Sequence, residues 1–250
     1  MRLIAAHQGK IVTVNDTQWA AKYRAVHTGL DALDAVLPPG GLARGAVHEL
    51  LHRECDPPPG LVSLLFSRSM REVGGLRLEA RNPTSNLKPQ TSPCIIWIDP
   101  ACTLYPPAVF QAGVDPRDLW IVHPRDAAEN LWATAEALRC RGVTATIASP
   151  PRLSRTDVRR LQLAAERGGG IGIFMRPLDR HAGIYAAATR WLVQPARGER
   201  TIQRWKLTLL HGHGGQIGSS LLLEHRRETN TLHTTVELGD RSRIKTVLSA

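Results

Sequence analysis

From residue 94 to residue 175 short apolar runs alternate with amphipathic stretches, and this alternation restricts the fold more than any other feature of the chain. Cys94-Ile95-Ile96-Trp97-Ile98 is continuously apolar and stops at Asp99-Pro100, as a strand buried on both faces should. Residues 107–113 read as a short helix and 119–122 as the next strand. The strongest helical segment covers 125–141. Ala128, Leu131, Trp132, Ala135 and Leu138 form its apolar stripe, Asp126 and Glu129 suit the positive end of its dipole, and Arg139 and Arg141 suit the negative end. Gly142 stops it, and 143–148 is another strand. Ser154 caps a helix over 155–167 with Val158, Leu161 and Ala165 inward and Arg155, Arg159 and Arg160 outward. Gly168-Gly169-Gly170 ends it before the strand 171–175. Such a succession predicts a three-layer α/β core: a mostly parallel central sheet with helices on both faces. Past Arg176 the pattern changes, and 191–193, 205–210 and 221–223 predict an antiparallel C-terminal extension.

Upstream, residues 27–51 read HTGLDALDAVLPPGGLARGAVHELL. Leu30, Leu33 and Leu37 share a helical face, with Thr28 as the expected N-cap. Pro38-Pro39-Gly40-Gly41 ends that helix, because proline lacks an amide donor and glycine permits the reversal. Residues 45–51 then form a strand running into a loop, where a nucleotide-binding sheet would carry its phosphate loop. A helix is expected over 61–73, with Leu61, Leu64, Leu65 and Met70 on one face, and 74–93 is polar enough to be a mobile insertion. The expected organisation is an N-terminal arm over 1–26 (10–14 a possible edge strand), a domain over 27–225 and a basic tail over 226–250.

The formal charge of +10 is concentrated in the second half, where residues 149–250 carry 17 Lys and Arg against 8 Asp and Glu. That asymmetry suits an anionic partner, nucleic acid or acidic protein, and equally suits a solvated surface. Cys55, Cys94, Cys102 and Cys140 show no CxxC pairing and read as reduced, mostly buried thiols. The first residues are too interrupted for a signal sequence, and no apolar run reaches the roughly 18 residues that span a bilayer, so a cytoplasmic protein without membrane contact is expected. His211-Gly212-His213 has chelating spacing but no nearby carboxylate, so no metal is expected. His48 and His123 read as satisfied core or rim residues, the tryptophans as core, and no Cys-His set is suggested.

The order of elements resembles a RecA-like core and, more narrowly, the ImuA family. The likeness is carried by TGLDALDAVLPPGGLARGAVHELL (28–51), IIWIDPACTLYPPAVFQAGVDPRDLWIVHPRDAAENLWATAEALR (95–139) and PRLSRTDVRRLQLAAERGGGIGIFMRP (151–177), within roughly residues 27–210. The resemblance implies a role in SOS-induced, error-prone translesion synthesis, with an ImuB-like Y-family protein, RecA and an error-prone polymerase III alpha subunit as partners. Two rivals are a divergent RecA-like ATPase and a SulA-like inhibitor of cell division.

A working phosphate loop needs wrapping glycine amides, a lysine for the β/γ oxygens and a Ser/Thr hydroxyl for magnesium. After Leu51 the chain has HRECDPPPGLVSLL: no GK[ST], three prolines without amide donors, and Glu54 and Asp56 to repel a polyphosphate. Arg53 is on the wrong side of the prolines. By resemblance to RecA, Ala101 stands where the water-activating glutamate belongs, and 143–148 runs into Ser149-Pro150-Pro151 where an aspartate would support magnesium. Asp99 alone is a strand-end cap. The expectation is a protein that is no enzyme and holds no cofactor.

The connections corresponding to RecA's DNA-binding loops are short here and carry Arg152, Arg176 and Arg180 without an aromatic residue for stacking. They suit a salt-sensitive DNA contact or simply solvate loop tips. Arg155, Arg159 and Arg160, or the tail with Arg226, Arg227, Arg241, Arg243 and Lys245, are expected to dock a partner protein or DNA.

Overall fold

The structure, a computed structural model, describes residues 22–37, 40–64, 66, 94–178 and 187–237, together with the strands β1 (Leu3–His7) and β2 (Lys10–Thr13). The expected insertion at 74–93, Leu65, Met70, Arg180 and the residues beyond 237 lie outside it. The chain continues through β3 (Ala25–Val26), α1 (Asp31–Val36), β4 (Leu42–Ala43) and β5 (Ala46–His52), and residues 60–64 are helical. Then come β6 (Ile95–Ile98), α2 (Pro106–Gln111), β7 (Leu119–Val122), α3 (Ala127–Arg139), β8 (Ala145–Ala148), α4 (Arg155–Gly168) and β9 (Ile171–Pro177). β10 (Thr189–Ala196), β11 (Ile202–Gly212), β12 (Ser220–Arg226) and β13 (Thr231–Glu237) complete the chain.

One nine-stranded sheet runs in the order β13-β12-β11-β10-β5-β9-β8-β6-β7. β10, β5, β9, β8, β6 and β7 are mutually parallel, and β11, β12 and β13 continue from β10 as antiparallel neighbours. The predicted three-layer core is therefore present, with three differences. Trp191-Leu192-Val193 belongs to β10, which is antiparallel to β11 as expected but also parallel to β5, so it joins the extension to the parallel core. The sheet also runs past residue 226, because β13 lies within the region read as a tail. Lys10–Thr13 pairs with Leu3–His7 in a separate two-stranded sheet instead of edging the main one.

Alternation along the strands builds the layers. In β9, Ile171, Ile173 and Met175 enter the larger core with Leu33 of α1, Phe66, Val109 of α2 and Trp191, while Phe174 enters a second core with Ala135 and Leu138 of α3 and Leu161, Ala164 and Ala165 of α4. Thr28 does not cap α1. Its amide and hydroxyl instead donate to the Asp34 carboxylate (3.0 and 2.9 Å), and Leu30 occupies the cap position without a side-chain bond. Of the expected α3 stripe Ala135 and Leu138 are buried, whereas Ala128 is exposed and Trp132 is 56% exposed; Asn130, Ala133, Thr134 and Ala137 complete the buried face. It ends at Arg139, three residues before Gly142.

His48 is the satisfied core histidine anticipated. Its Nε2–H donates to the Ala43 carbonyl (3.0 Å), and its Nδ1 accepts from the Thr189 hydroxyl (2.8 Å), which itself accepts from the Trp191 indole (3.1 Å). A carbonyl only accepts, so the proton belongs on Nε2 and the ring is neutral. Burial lowers its pKa from 6.5 to about 4. Between those values the unfolded chain binds the proton and the folded chain does not, so stability falls as pH drops from 6.5 to 4. Urea titrations across that window should show a slope of up to about 1.4 kcal/mol per pH unit in the wild type that His48→Gln reduces.

Candidate partner-binding surface

α4 begins with a capping box. The Ser154 hydroxyl accepts from the Asp157 amide (3.2 Å), and the Asp157 carboxylate accepts from the Ser154 hydroxyl and amide (2.6 and 3.0 Å). These bonds, with Arg160 nearby, hold the Asp157 carboxyl below its usual range. With the start of the helix set, its 3.6-residue period buries Val158, Leu161, Ala164 and Ala165 and leaves Arg155, Arg159, Arg160 and Arg167 exposed. At the other end Gly168 approaches the backbone of Leu138 so closely that a Cβ would lie 1.9 Å from the Leu138 carbonyl oxygen. This approach brings the C-termini of α3 and α4 together.

Along α4, bordered by Arg139 at the end of α3, lies an open groove of about 510 Å³ lined by Arg139, Arg155, Thr156, Arg159, Arg160, Leu163, Ala164 and Arg167. Arg159 donates to the Gln162 side-chain oxygen (3.1 Å), and Arg139 pairs with Glu136. Arg155, Arg160 and Arg167 have no hydrogen-bond or ion-pair partner among the described residues. The nearby Glu166 is occupied by Lys22 and the Tyr23 hydroxyl, each at 2.8 Å, so it serves to fasten the N-terminal segment to α4. The sequence anticipated Arg155, Arg159 and Arg160. It missed Arg139, which reads locally as a dipole complement, and Arg167, which reads only as the last residue of its helix.

The other predicted residues are elsewhere. Arg152 is exposed in the loop before α4. Arg176 is a strand residue whose guanidinium is paired with Glu49, which corrects its reading as an available loop cation. Arg226 and Arg227 are exposed at the end of β12, three strands from β5 in the sheet order and apart from the α4 groove. Arg180, Arg241, Arg243 and Lys245 lie outside the described residues.

After β5 several of the loop's polar groups are engaged internally. The His52 Nδ1–H donates to the Arg53 and Asp56 carbonyls (3.0 and 3.2 Å). The Gly60 amide donates to Pro58 O, and the amide and hydroxyl of Ser63 both donate to Pro59 O. With its side-chain amide assigned by hydrogen bonding, Gln194 of β10 accepts from the Arg53 guanidinium (3.2 Å). Asp99 is the strand-end cap expected, accepting from the Leu104 amide (2.8 Å) and the Thr103 hydroxyl (3.3 Å).

Several side chains differ from expectation. Cys55, Cys102 and Cys140 are exposed and Cys94 is half-buried; all four are free thiols, but they are not core residues. Cys102 Sγ lies 3.1 Å from His123 Nδ1, a Cys–His contact between two loops that no local pattern reveals. Trp120 is 66% exposed on the edge strand β7, so the tryptophans are only partly core. His211 and His213 stack edge-to-face with ring centroids 5.1 Å apart. Among the described residues, no three His, Cys, Asp or Glu side chains gather as a metal site, and no helix is long and apolar enough to cross a membrane.

Fold and surface together define an α/β protein with a parallel core, an antiparallel flank and an arginine-lined groove along one helix. No family model matches the chain. Among curated proteins it is similar to Protein ImuA of Caulobacter vibrioides: the sequences from strain NA1000 / CB15N and from strain ATCC 19089 / CIP 103742 / CB 15 are each 27% identical to it over 210 residues, spanning 78% of this chain and 81% of the relative.

Proposed function

We propose that this chain is a non-catalytic, cytoplasmic accessory protein of SOS-induced, error-prone translesion DNA synthesis, built on a RecA-like core whose phosphate loop has degenerated. It binds an ImuB-like Y-family protein and RecA through the arginine face of α4, in an assembly with an error-prone polymerase III alpha subunit. The observation that carries this reading is the arginine groove along α4, where three arginines have no partner among the described residues, on a chain similar to ImuA. A guanidinium left unpaired at a surface is a ready donor to carboxylate or phosphate. The non-catalytic part is supported by the loop after β5, where the Gly60 and Ser63 amides and the Ser63 hydroxyl already donate to loop carbonyls.

The triple variant Arg155→Glu/Arg159→Glu/Arg160→Glu should lower capture of the ImuB-like protein or RecA by at least about tenfold while keeping the wild-type melting temperature. Unchanged capture of both partners would remove α4 as the docking face. In calorimetry ATP should give no micromolar binding and, in a sensitive phosphate-release assay, no turnover. Turnover in a homogeneous preparation would favour the ATPase reading instead.

A further inference from the structure

The groove along α4 has a chemical character beyond its charge. Arg155, Arg159, Leu163 and Arg167 recur at every fourth position and form one stripe of α4, which at 1.5 Å per residue is roughly 18 Å long. Arg160 widens the stripe and Arg139 faces it from α3. In the middle the lining is aliphatic, Leu163 and Ala164, and no aromatic side chain contributes. A single nucleic-acid strand would find cations for its phosphates here but no ring on which to stack a base. A protein helix with carboxylates at i, i+4 spacing and a leucine-type side chain among them matches both features.

Arg155, Arg159 and Arg160 are not explained by α4's own folding. Arg155 occupies the first helical position, where positive charge opposes the helix dipole, and Arg159 and Arg160 follow in the next turn, beyond the dipole's reach; Arg167 alone, in the last turn, suits the dipole. Asp157 is the acidic residue of the first turn and is held by Ser154. We infer that the groove is the seat of an acidic amphipathic helix of a partner protein, whose carboxylates pair with Arg155, Arg159, Arg160 and Arg167 and whose apolar side chain rests on Leu163 and Ala164. This inference rests on the reading of α4 as the docking face and specifies what docks there.

Three fluorescent probes test it by anisotropy on the full chain: a helical peptide of about 16 residues with Glu at i, i+4 spacing and Leu between, the same peptide with Gln for Leu, and an oligo-dT of equal length. The Leu-bearing peptide should bind at least about tenfold tighter than either control, a difference of about 1.4 kcal/mol. Leu163→Gln, a change at a half-buried position, should erase that preference, and Arg160→Glu/Arg167→Glu should weaken all three probes. Equal binding of oligo-dT, unaffected by Leu163→Gln, or no binding of the Leu-bearing peptide, would overturn the inference. Capture of the ImuB-like protein and RecA is measured separately. Charge-sensitive capture without peptide binding overturns only the acidic helix. Tight peptide binding without capture overturns only the assignment to translesion synthesis.

Discussion

Glu49→Leu is expected to remove about 4 kcal/mol of folding stability, the scale seen when one partner of a buried ion pair is lost. Glu49 lies in β5, the middle strand of the nine-stranded sheet, with its side chain 4% exposed. Its two oxygens are divided between neighbouring strands: Oε1 accepts from Arg176 of β9 (2.8 Å) and Oε2 from Arg190 of β10 (2.7 Å). Those side chains are 19% and 12% exposed, so removing the carboxylate takes away the anion that two largely desolvated guanidiniums share across one strand. For a domain of this size the melting temperature should fall by roughly 10 °C. The combination Glu49→Leu/Arg176→Met/Arg190→Met should recover most of the loss, because replacing a whole buried ionic cluster by apolar side chains is often neutral. Urea denaturation of the single and triple variants measures both. If the single change costs no more than a surface substitution, the cluster is solvated and the argument fails.

Arg176 also shows what the sequence could not reveal. The strand before it is legible, since 171–175 is apolar and follows a glycine stop. Whether the next arginine reaches solvent or crosses to a carboxylate depends on Glu49, distant in sequence and adjacent only through the β5–β9 register. The pairing of β10 with β5 was hidden for a similar reason: periodicity identifies a strand but not its neighbour. In α3 the apolar residues marked a helix but only part of its buried face, Ala135 and Leu138. Asn130 is buried because its amide donates to Ser149 O (3.2 Å) and its oxygen accepts from Thr134 (3.3 Å), whereas Trp132 is exposed. A stripe counted from apolar residues alone misses such a face. The α4 surface was more legible because its causes are local. Ser154 and Asp157 set the start of the helix, and the period then points Arg155, Arg159 and Arg160 outward. Only the cleft with Arg139 and Arg167 needed the packing of α3 on α4.

That packing leads to the second large effect: Gly168→Ala should cost about 3 kcal/mol, the upper part of the range for overpacking, and should open the arginine groove. The three glycines ending α4 read in the sequence as one stop signal, yet each position meets a different constraint. Gly169 is the C-cap, with φ +75° and nothing within 4 Å of an added Cβ, so alanine there meets only the left-handed backbone penalty of about 1–2 kcal/mol. At Gly168 an added Cβ would lie 1.9 Å from Leu138 O and 3.0 Å from the carbonyl carbons of Leu138 and Arg139. These are backbone atoms inside the last turn of α3, and no rotamer change relieves the clash. The two helix ends must separate, moving Arg167 away from Arg139 while Arg155, near the capping box, keeps its surroundings. Gly168→Ala should therefore lower both the melting temperature and the affinity for an acidic helical peptide, and Gly169→Ala should lower the first while leaving the second near wild type. Comparing the two in thermal melts and anisotropy separates destabilisation from loss of the groove. Equal peptide affinity in both variants would mean that the close contact of α3 and α4 contributes nothing to the surface.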